Sequence, residues 1–544
     1  MAATHEVTNQ APPLTGYNVF TSDAALVEAF DRHGHADDRV EVEHLGRLAG
    51  SPEAQQWARE ADRHPPVLRT HDRYGHRIDE VEFHPSWHSL MDTAVTYGLH
   101  ASPWSRPLPG VHAARAAKFL VWSQVEAAHL CPVSMTYAAV PALRTDPAIA
   151  SVWETRLTGS YEPGLRPPAS KTGALAGMAM TEKQGGSDVR ANTTHAEPVG
   201  DGWYRLTGHK WFCSAPMNDV FLMLAQAPGG LTCFVVPRVF DDGTRNPFAI
   251  QRLKDKLGNR ANASAEIELD ATYGRRLGEE GRGVATIIDM VAATRLDCTL
   301  ASAALMRRAV AEAAWHAAHR SAFGHRLAES ALMHNVLADL AVESEAATTL
   351  AMRLAACVDA GDDSHERALR RIALPLAKYW VCKRTPAVVA EALECLGGNG
   401  YIEDSDMPRL YREAPLNSIW EGAGNVQALD LLRVLAREPD AVAAWRVEVE
   451  AAKGQHGRFD DTLDDTMTLL AETAASPESA AGRSRVLAER MATLLQASLL
   501  IRFAPGAVAD AICAGRLGSV AGTFGTLPPG VDTSAVLERA TPQG

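Results

Sequence analysis

The sequence predicts a mainly α-helical protein with a central β domain, on three observations. Apolar residues recur at three- and four-residue steps up to about Leu157, and again from Gly283 nearly to the end. Between these stretches the spacing changes to the two-residue alternation of strands. The resulting order, helical, β, helical, helical, excludes the alternating strand–helix pattern of a doubly wound sheet. At 544 residues the chain has room for two to four packed units.

Residues 1–39 are polar and irregular, apart from the helical DAALVEAF (23–30). From Val40 to about Leu157 the pattern is mostly helical, and ARAAKFLVWSQVEAAHL (114–130) is the clearest case, with Ala, Phe, Leu and Val recurring at three- and four-residue steps. GSYEPGLRPPASKTG (159–173) is a linker by its Gly, Pro and Ser content. GWYRLTGHKWFCS (202–214) and AEIELD (265–270) have strand-like spacing, and VFLMLAQ and LTCFVVP flank the turn APGG (227–230) as a hairpin. TRLDCTLASAALMRRAVAEAAWHAAHR, ALMHNVLADLAVESEAATTLAMRLAACV and SRVLAERMATLLQASLLIRF are long amphipathic helices. A break at REPD (437–440) divides the last two units. The predicted domains are 1–177, 178–282, 283–436 and 437–544.

Composition narrows the function classes. Hydrophobic residues make up 46% and charged residues 22%, an ordinary globular balance. The 53 Lys and Arg against 66 Asp and Glu give a net charge of −13, which weakens general nucleic-acid affinity. No apolar run is long enough to cross a bilayer, and MAATHEVTNQAPPL lacks a basic-then-apolar leader, so a cytoplasmic location is expected. The eight cysteines are scattered without C-x-x-C spacing and read as reduced, buried thiols. No phosphate loop, G-x-G-x-x-G fingerprint, H-E-x-x-H or G-x-S-x-G elbow is present, and no metal site is expected.

Three small-residue clusters remain. MAMTEKQGGSDV (178–189) offers two hydroxyls and a flexible glycine turn able to approach a flat polar ring or a phosphate. LGGNGY (396–401) could cradle a pyrophosphate or end a helix. SIWEGAGN (418–425) sets one carboxylate, Glu421, among apolar and small residues. In order, MTEKQGGSD, GHKWFCS, RSAFG (320–324), LGGNGY and WEGAGN resemble the motifs of the acyl-CoA dehydrogenase superfamily. LKDKLGNRANAS (253–264), RLYRE (409–413), FHPSWH (83–88) and CPVSMT (131–136) add a resemblance to its AidB-like branch, which is linked to the response to DNA alkylation.

The resemblance implies bound FAD and the family architecture: a helical N-terminal domain, a β-barrel, a helical bundle and an extra C-terminal helical domain. Met178, Met180, Thr181, Gly185, Gly186 and Ser187 match the loop along the isoalloxazine ring. Phe212 and Ser214 match the next flavin strand; Trp211 is expected on the opposite strand face from Phe212, which leaves the stacking ring open. Arg320 and Phe323 match a segment that reaches FAD from a neighbouring subunit, so a homotetramer is implied. Gly397 and Gly398 match the pyrophosphate loop, and Ile419, Trp420, Gly422 and Asn425 match the catalytic segment and its cofactor contacts.

Glu421 matches the family's general base, a carboxylate whose pKa burial would raise toward working pH. The alternative at this position is a buried glutamate paired with Arg409 or Arg412. The expected activity is α,β-dehydrogenation of an acyl-CoA or related thioester, linked to protection from DNA alkylation. The second reading is a protective flavoprotein that binds double-stranded DNA and has little dehydrogenase activity, with Arg433, Arg483 and Arg485 as nucleic-acid candidates and Arg490, Arg502 and Arg516 able to line the same face. The charge balance opposes it, since residues 437–544 carry 10 basic and 14 acidic side chains.

Overall fold

The computed structural model describes residues 4–517 and 522–542. The chain divides into two compact units, each made of discontinuous segments. One contains the β domain with residues 54–108 and 126–297; the other contains residues up to Glu53, Pro109–Val125 and everything from Cys298 onward.

Two strands of the β-containing unit form a sheet of their own. β1 (Val67–His71) and β2 (Arg77–Glu82) form an antiparallel hairpin within a stretch expected to be helical. Its turn is local chemistry: the Asp72 carboxylate accepts the amides of Tyr74 at 2.8 Å and His76 at 2.9 Å. The other strands are β3 (Ala176–Ala179), β4 (His195–Gly200), β5 (Trp203–Ser214), β6 (Val220–Ala227), β7 (Gly230–Pro237), β8 (Phe248–Leu253) and β9 (Ser264–Leu277). They pair in the order β3-β6-β4-β5-β9-β7, and β7 returns to pair with β6, closing a barrel; β8 is added on β9. The predicted hairpin is β6–β7, with Ala227 opposite Gly230. Alternate side chains fill the interior, among them Leu206, Phe221, Phe234 and Ile267.

β5 departs from simple alternation. Lys210 pairs with Ile267 but Cys213 with Ala265, so three steps on β5 match two on β9. This bulge overturns the expected opposite faces of Trp211 and Phe212. Both rings gather around Lys254, whose Nζ is 3.1 Å from the Trp211 centroid and 4.9 Å from that of Phe212.

The stretch 114–130 is not one helix. The helix Val111–Ser123 ends there, and the next begins at Leu130. Between them the buried Glu126 carboxylate accepts the amides of Ala128 and His129, each at 2.8 Å, which turns the backbone out of the helix.

In the helical unit, the helices Ala331–Asp359 and Ser364–Cys395 pack together. Helices Pro439–Glu450 and Pro477–Phe503 pack directly on this pair. Ion pairs join the pieces. Arg353 bridges Glu366 at 2.7 Å and Glu448 at 3.0 Å, and Glu448 also takes Arg502 at 2.5 Å. Arg516 reaches Asp339 at 2.6 Å and Glu343 at 2.7 Å, with its side chain 8% exposed. Removing Arg516 leaves the buried Asp339 carboxylate without its cation, while Glu343 keeps Arg384 at 3.0 Å. Arg516→Met is therefore expected to destabilise the protein by about 3–5 kcal/mol, read as a lower midpoint in denaturant.

Candidate active site

The loop after β3 is built on a buried ion pair. Glu182 and Lys210 are each 0% exposed at the side chain, with Nζ 2.8 Å from the carboxylate. Lys210 also donates to the Leu224 carbonyl at 2.8 Å. Glu182 accepts the Thr193 amide at 2.7 Å and the Gln184 side-chain amide at 2.8 Å. Burial pushes the Glu182 carboxyl up, but the Lys210 charge and these donors outweigh it and hold the group at about 2. Two more bonds fix the loop: Trp211 donates its amide to Thr181 O at 2.8 Å, and Asn192 donates to Met180 O at 2.9 Å.

On this frame Met178, Met180 and Thr181 are half-buried, while Gly185, Gly186 and Ser187 are exposed. A Cβ on Gly186 would lie 2.4 Å from Thr181 Oγ1, so only glycine lets the turn fold against that hydroxyl. Phe212 is 50% exposed and Ser214 half-buried. The same unit has an open pocket of about 570 Å³, with Arg190 and Arg282 beside Val284 and Ile288.

The Glu421 segment lies in the helical unit and is held by its carbonyls. Lys378, 1% exposed, sends Nζ to the carbonyls of Asn417 at 2.6 Å, Trp420 at 2.7 Å and Gly422 at 3.1 Å. Gln427 donates to Glu421 O at 3.2 Å and Gly422 O at 2.8 Å. Glu421 itself has φ of 57°, left-handed for a residue with a β-carbon, and Gly422 follows at 96°. A non-glycine residue pays about 1–2 kcal/mol for this conformation, and the captured carbonyls maintain it. The Glu421 side chain is half-buried, and Trp420 is oriented by its Nε1–H to Asn417 Oδ1 at 3.0 Å. Arg409 donates to Val125 O at 2.9 Å, and Arg412 to Glu403 at 2.5 Å.

The other expected residues of this unit fall as follows. Ile419 is 61% exposed. Asn425 is exposed in the first turn of helix Gly424–Arg437. Gly397, with φ of 58°, and Gly398 are exposed and have open space where a Cβ would stand. Arg320 precedes a two-strand hairpin, Ser321–Ala322 with His325–Arg326, whose tip carries a fully exposed Phe323 at φ 54°. Asn9 clips this hairpin, accepting the Ser321 amide at 2.7 Å, and its own carbonyl accepts from Arg320.

The nucleic-acid candidates are largely occupied by acids. Arg433 lies 3.3 Å from Asp430, and Arg483 3.5 Å from Glu472. Arg502 and Arg516, expected to line one face, are instead ion-paired to Glu448 and to Asp339 and Glu343. Arg485 alone of the three named candidates has no carboxylate among the described residues.

Three domain families match the chain in order: the AidB N-terminal domain over 9–163, the acyl-CoA dehydrogenase middle domain over 177–272, and its C-terminal domain over 281–436. AidB of Escherichia coli is 47% identical over 463 residues, covering 84% of this chain and 85% of that protein. This chain belongs to the acyl-CoA dehydrogenase family, in its AidB branch. Its architecture agrees with the crystal structure of Caenorhabditis elegans ACDH-11 in complex with C11-CoA, at a TM-score of 0.83 and 26% identity, over 94% of this chain and 92% of that one. An acyl-CoA dehydrogenase from Bacillus anthracis complexed with FAD shares the fold at a TM-score of 0.65 and 18% identity, over 79% and 80% of the two chains.

For an AidB-type chain, the sequence motifs named the loop residues but missed what holds them. Glu182 and Lys210 stood inside the quoted motifs without a role. Lys378 and Gln427 lie outside every motif, and only the fold shows that they capture the Glu421 backbone. Among the described residues no group of His, Cys, Asp and Glu is arranged to hold a metal, no helix is long and apolar enough to cross a membrane, and all eight cysteines are buried free thiols.

Proposed function

We propose that this protein is an FAD-dependent oxidoreductase that removes two hydrogens across the α and β carbons of an acyl thioester, with Glu421 as the base. The observation that carries this reading is the pinned Glu421 backbone: three consecutive carbonyls, from Trp420 to Gly422, are taken by Lys378 and Gln427. A base fixed in this way needs no reorganisation when substrate arrives. Family membership and the C11-CoA carried by a structural neighbour support a thioester substrate.

The residues present fit a flavin dinucleotide. The Gly185–Ser187 turn is exposed on a buried frame, and Gly186 leaves space that a Cβ would fill. Met178, Met180, Thr181, Phe212 and Ser214 of the β-containing unit would hold the ring. When bound, FAD supplies the hydride acceptor. Glu421 takes the α-proton, its N–H binds the thioester oxygen and acidifies that proton, and a carbon–carbon double bond forms. The Arg190–Arg282 pocket suits the phosphates and apolar chain of a coenzyme A thioester.

Self-association belongs to the same proposal: the fully exposed Phe323 tip is an apolar group placed for a neighbouring subunit. The similarity to AidB supports a link to protection from DNA alkylation as part of this reading. Direct duplex binding is the weaker reading, because Arg433, Arg483, Arg502 and Arg516 are paired with acids.

Mass spectrometry of the cofactor released from purified protein tests the flavin. FAD is expected, and protein purified without any flavin would overturn the reading. Gly186→Ala should weaken FAD binding about tenfold, since the new methyl must displace Thr181; fluorescence of released flavin reads this.

A further inference from the structure

We infer that Lys254 is a positioning residue of the cofactor site: its ammonium, seated in the corner between the Trp211 and Phe212 rings, places a positive charge that favours the reduced flavin. This rests on the flavin reading above, and it gives a role to a residue of the LKDKLGNRANAS stretch that had none. Every residue involved belongs to the β-containing unit.

The bulge in β5 builds this corner. The two rings meet almost edge to face, with centroids 6.4 Å apart and planes at 83°. Lys254 Nζ lies 3.1 Å from the Trp211 centroid and 4.9 Å from that of Phe212. An ammonium against ring faces gains from their negative quadrupole, and gains more when drawn out of water. The Lys254 side chain is 12% exposed, so water screens its charge only weakly. The corner is tied to the flavin loop, because the Trp211 amide donates to Thr181 O at 2.8 Å. Phe212, matched to the flavin strand, is the side of the corner that stands open.

The charge is not cancelled. Glu266 takes Lys254 at 2.6 Å and Arg252 at 2.7 Å, one carboxylate for two cations. Lys183 adds a third cation, 5.8 Å from the Trp211 centroid, and no carboxylate among the described residues pairs with it. Lys210 shows the contrast, since it has Glu182 to itself. Burial works against the Glu266 charge, but Lys254 and Arg252 outweigh it and hold the carboxyl below its ordinary range. The cluster thus keeps a net positive charge beside the ring-binding residues. A flavin gains negative charge on two-electron reduction, and a fixed cation near it lowers the energy of that state through space.

The test measures the reduction potential of FAD bound to the full-length protein, by anaerobic titration against a reference dye. Lys254→Met should lower the equilibrium constant for two-electron reduction about tenfold, a fall of about 30 mV. Glu266→Gln removes the compensating negative charge and should raise the potential by a similar amount. Lys254→Arg keeps the charge and should stay near the wild type. Opposite shifts are the signature, since lost packing would move the first two variants the same way. If Lys254→Met holds too little flavin to titrate, Glu266→Gln decides alone. Wild-type protein that binds no flavin would sink the flavin reading itself. Flavin-loaded variants with the wild-type potential, or with shifts of one sign, would overturn the role of Lys254 and leave the flavin reading standing.

Discussion

Glu421→Gln is expected to abolish thioester-dependent bleaching of the flavin, with a loss of about 10²- to 10⁴-fold in its rate. The substitution keeps the side chain's shape and removes its basicity. The segment is held through carbonyls, by Lys378 and Gln427, so the change leaves the backbone anchors untouched. FAD content and thermal midpoint should therefore match those of the wild type. Loss of bleaching together with loss of flavin would mean instead that Glu421 supports the fold. Stopped-flow absorbance after mixing with an acyl-CoA, beside a flavin assay of the same sample, separates the two.

The second large effect lies at Glu182, the fully buried acid beneath the loop after β3. Lys210→Met leaves Glu182 in a site with no exposure and no cation, and is expected to cost about 3–5 kcal/mol of stability. The pH dependence has a definite sign. The folded carboxyl of Glu182 titrates at about 2, below its ordinary value of about 4.3 in an unfolded chain. Its stabilisation is thus fully present above about pH 4.3 and is lost as pH falls toward 2. In Lys210→Met the desolvated carboxyl has lost its strongest partner, so that acid-linked loss should shrink or reverse. Urea unfolding of both proteins at several acidic pH values reads this directly. Because Glu182 also fixes the loop at Thr193 and Gln184, the variant should retain less flavin.

The legible parts of this protein were contiguous in sequence. The order of helical and strand segments, the β6–β7 hairpin and the glycine-bearing loops each depend on neighbours a few residues away. What escaped depends on distant partners or on one side chain overriding a period. The β1–β2 hairpin is short and half-exposed, so its alternation was lost in helical surroundings. One carboxylate, Glu126, breaks an apparently continuous helix at residues with good helical spacing. The bulge that brings Trp211 and Phe212 around Lys254 is set by the register with β9. Lys378 is a buried cation in the mixed-polarity helix Ser364–Cys395, and no local pattern reveals that its partners are the carbonyls beside Glu421. The arginines of the last segment read as a basic face until their acids on other helices are seen.

The most direct test is anaerobic incubation of stoichiometric purified protein with short, branched and long acyl-CoAs, following flavin absorbance and thioester mass together. The account predicts bleaching with at least one thioester, matched by an equal amount of product lighter by two hydrogens. Flavin-loaded protein that neither bleaches nor changes the mass of any thioester would contradict it.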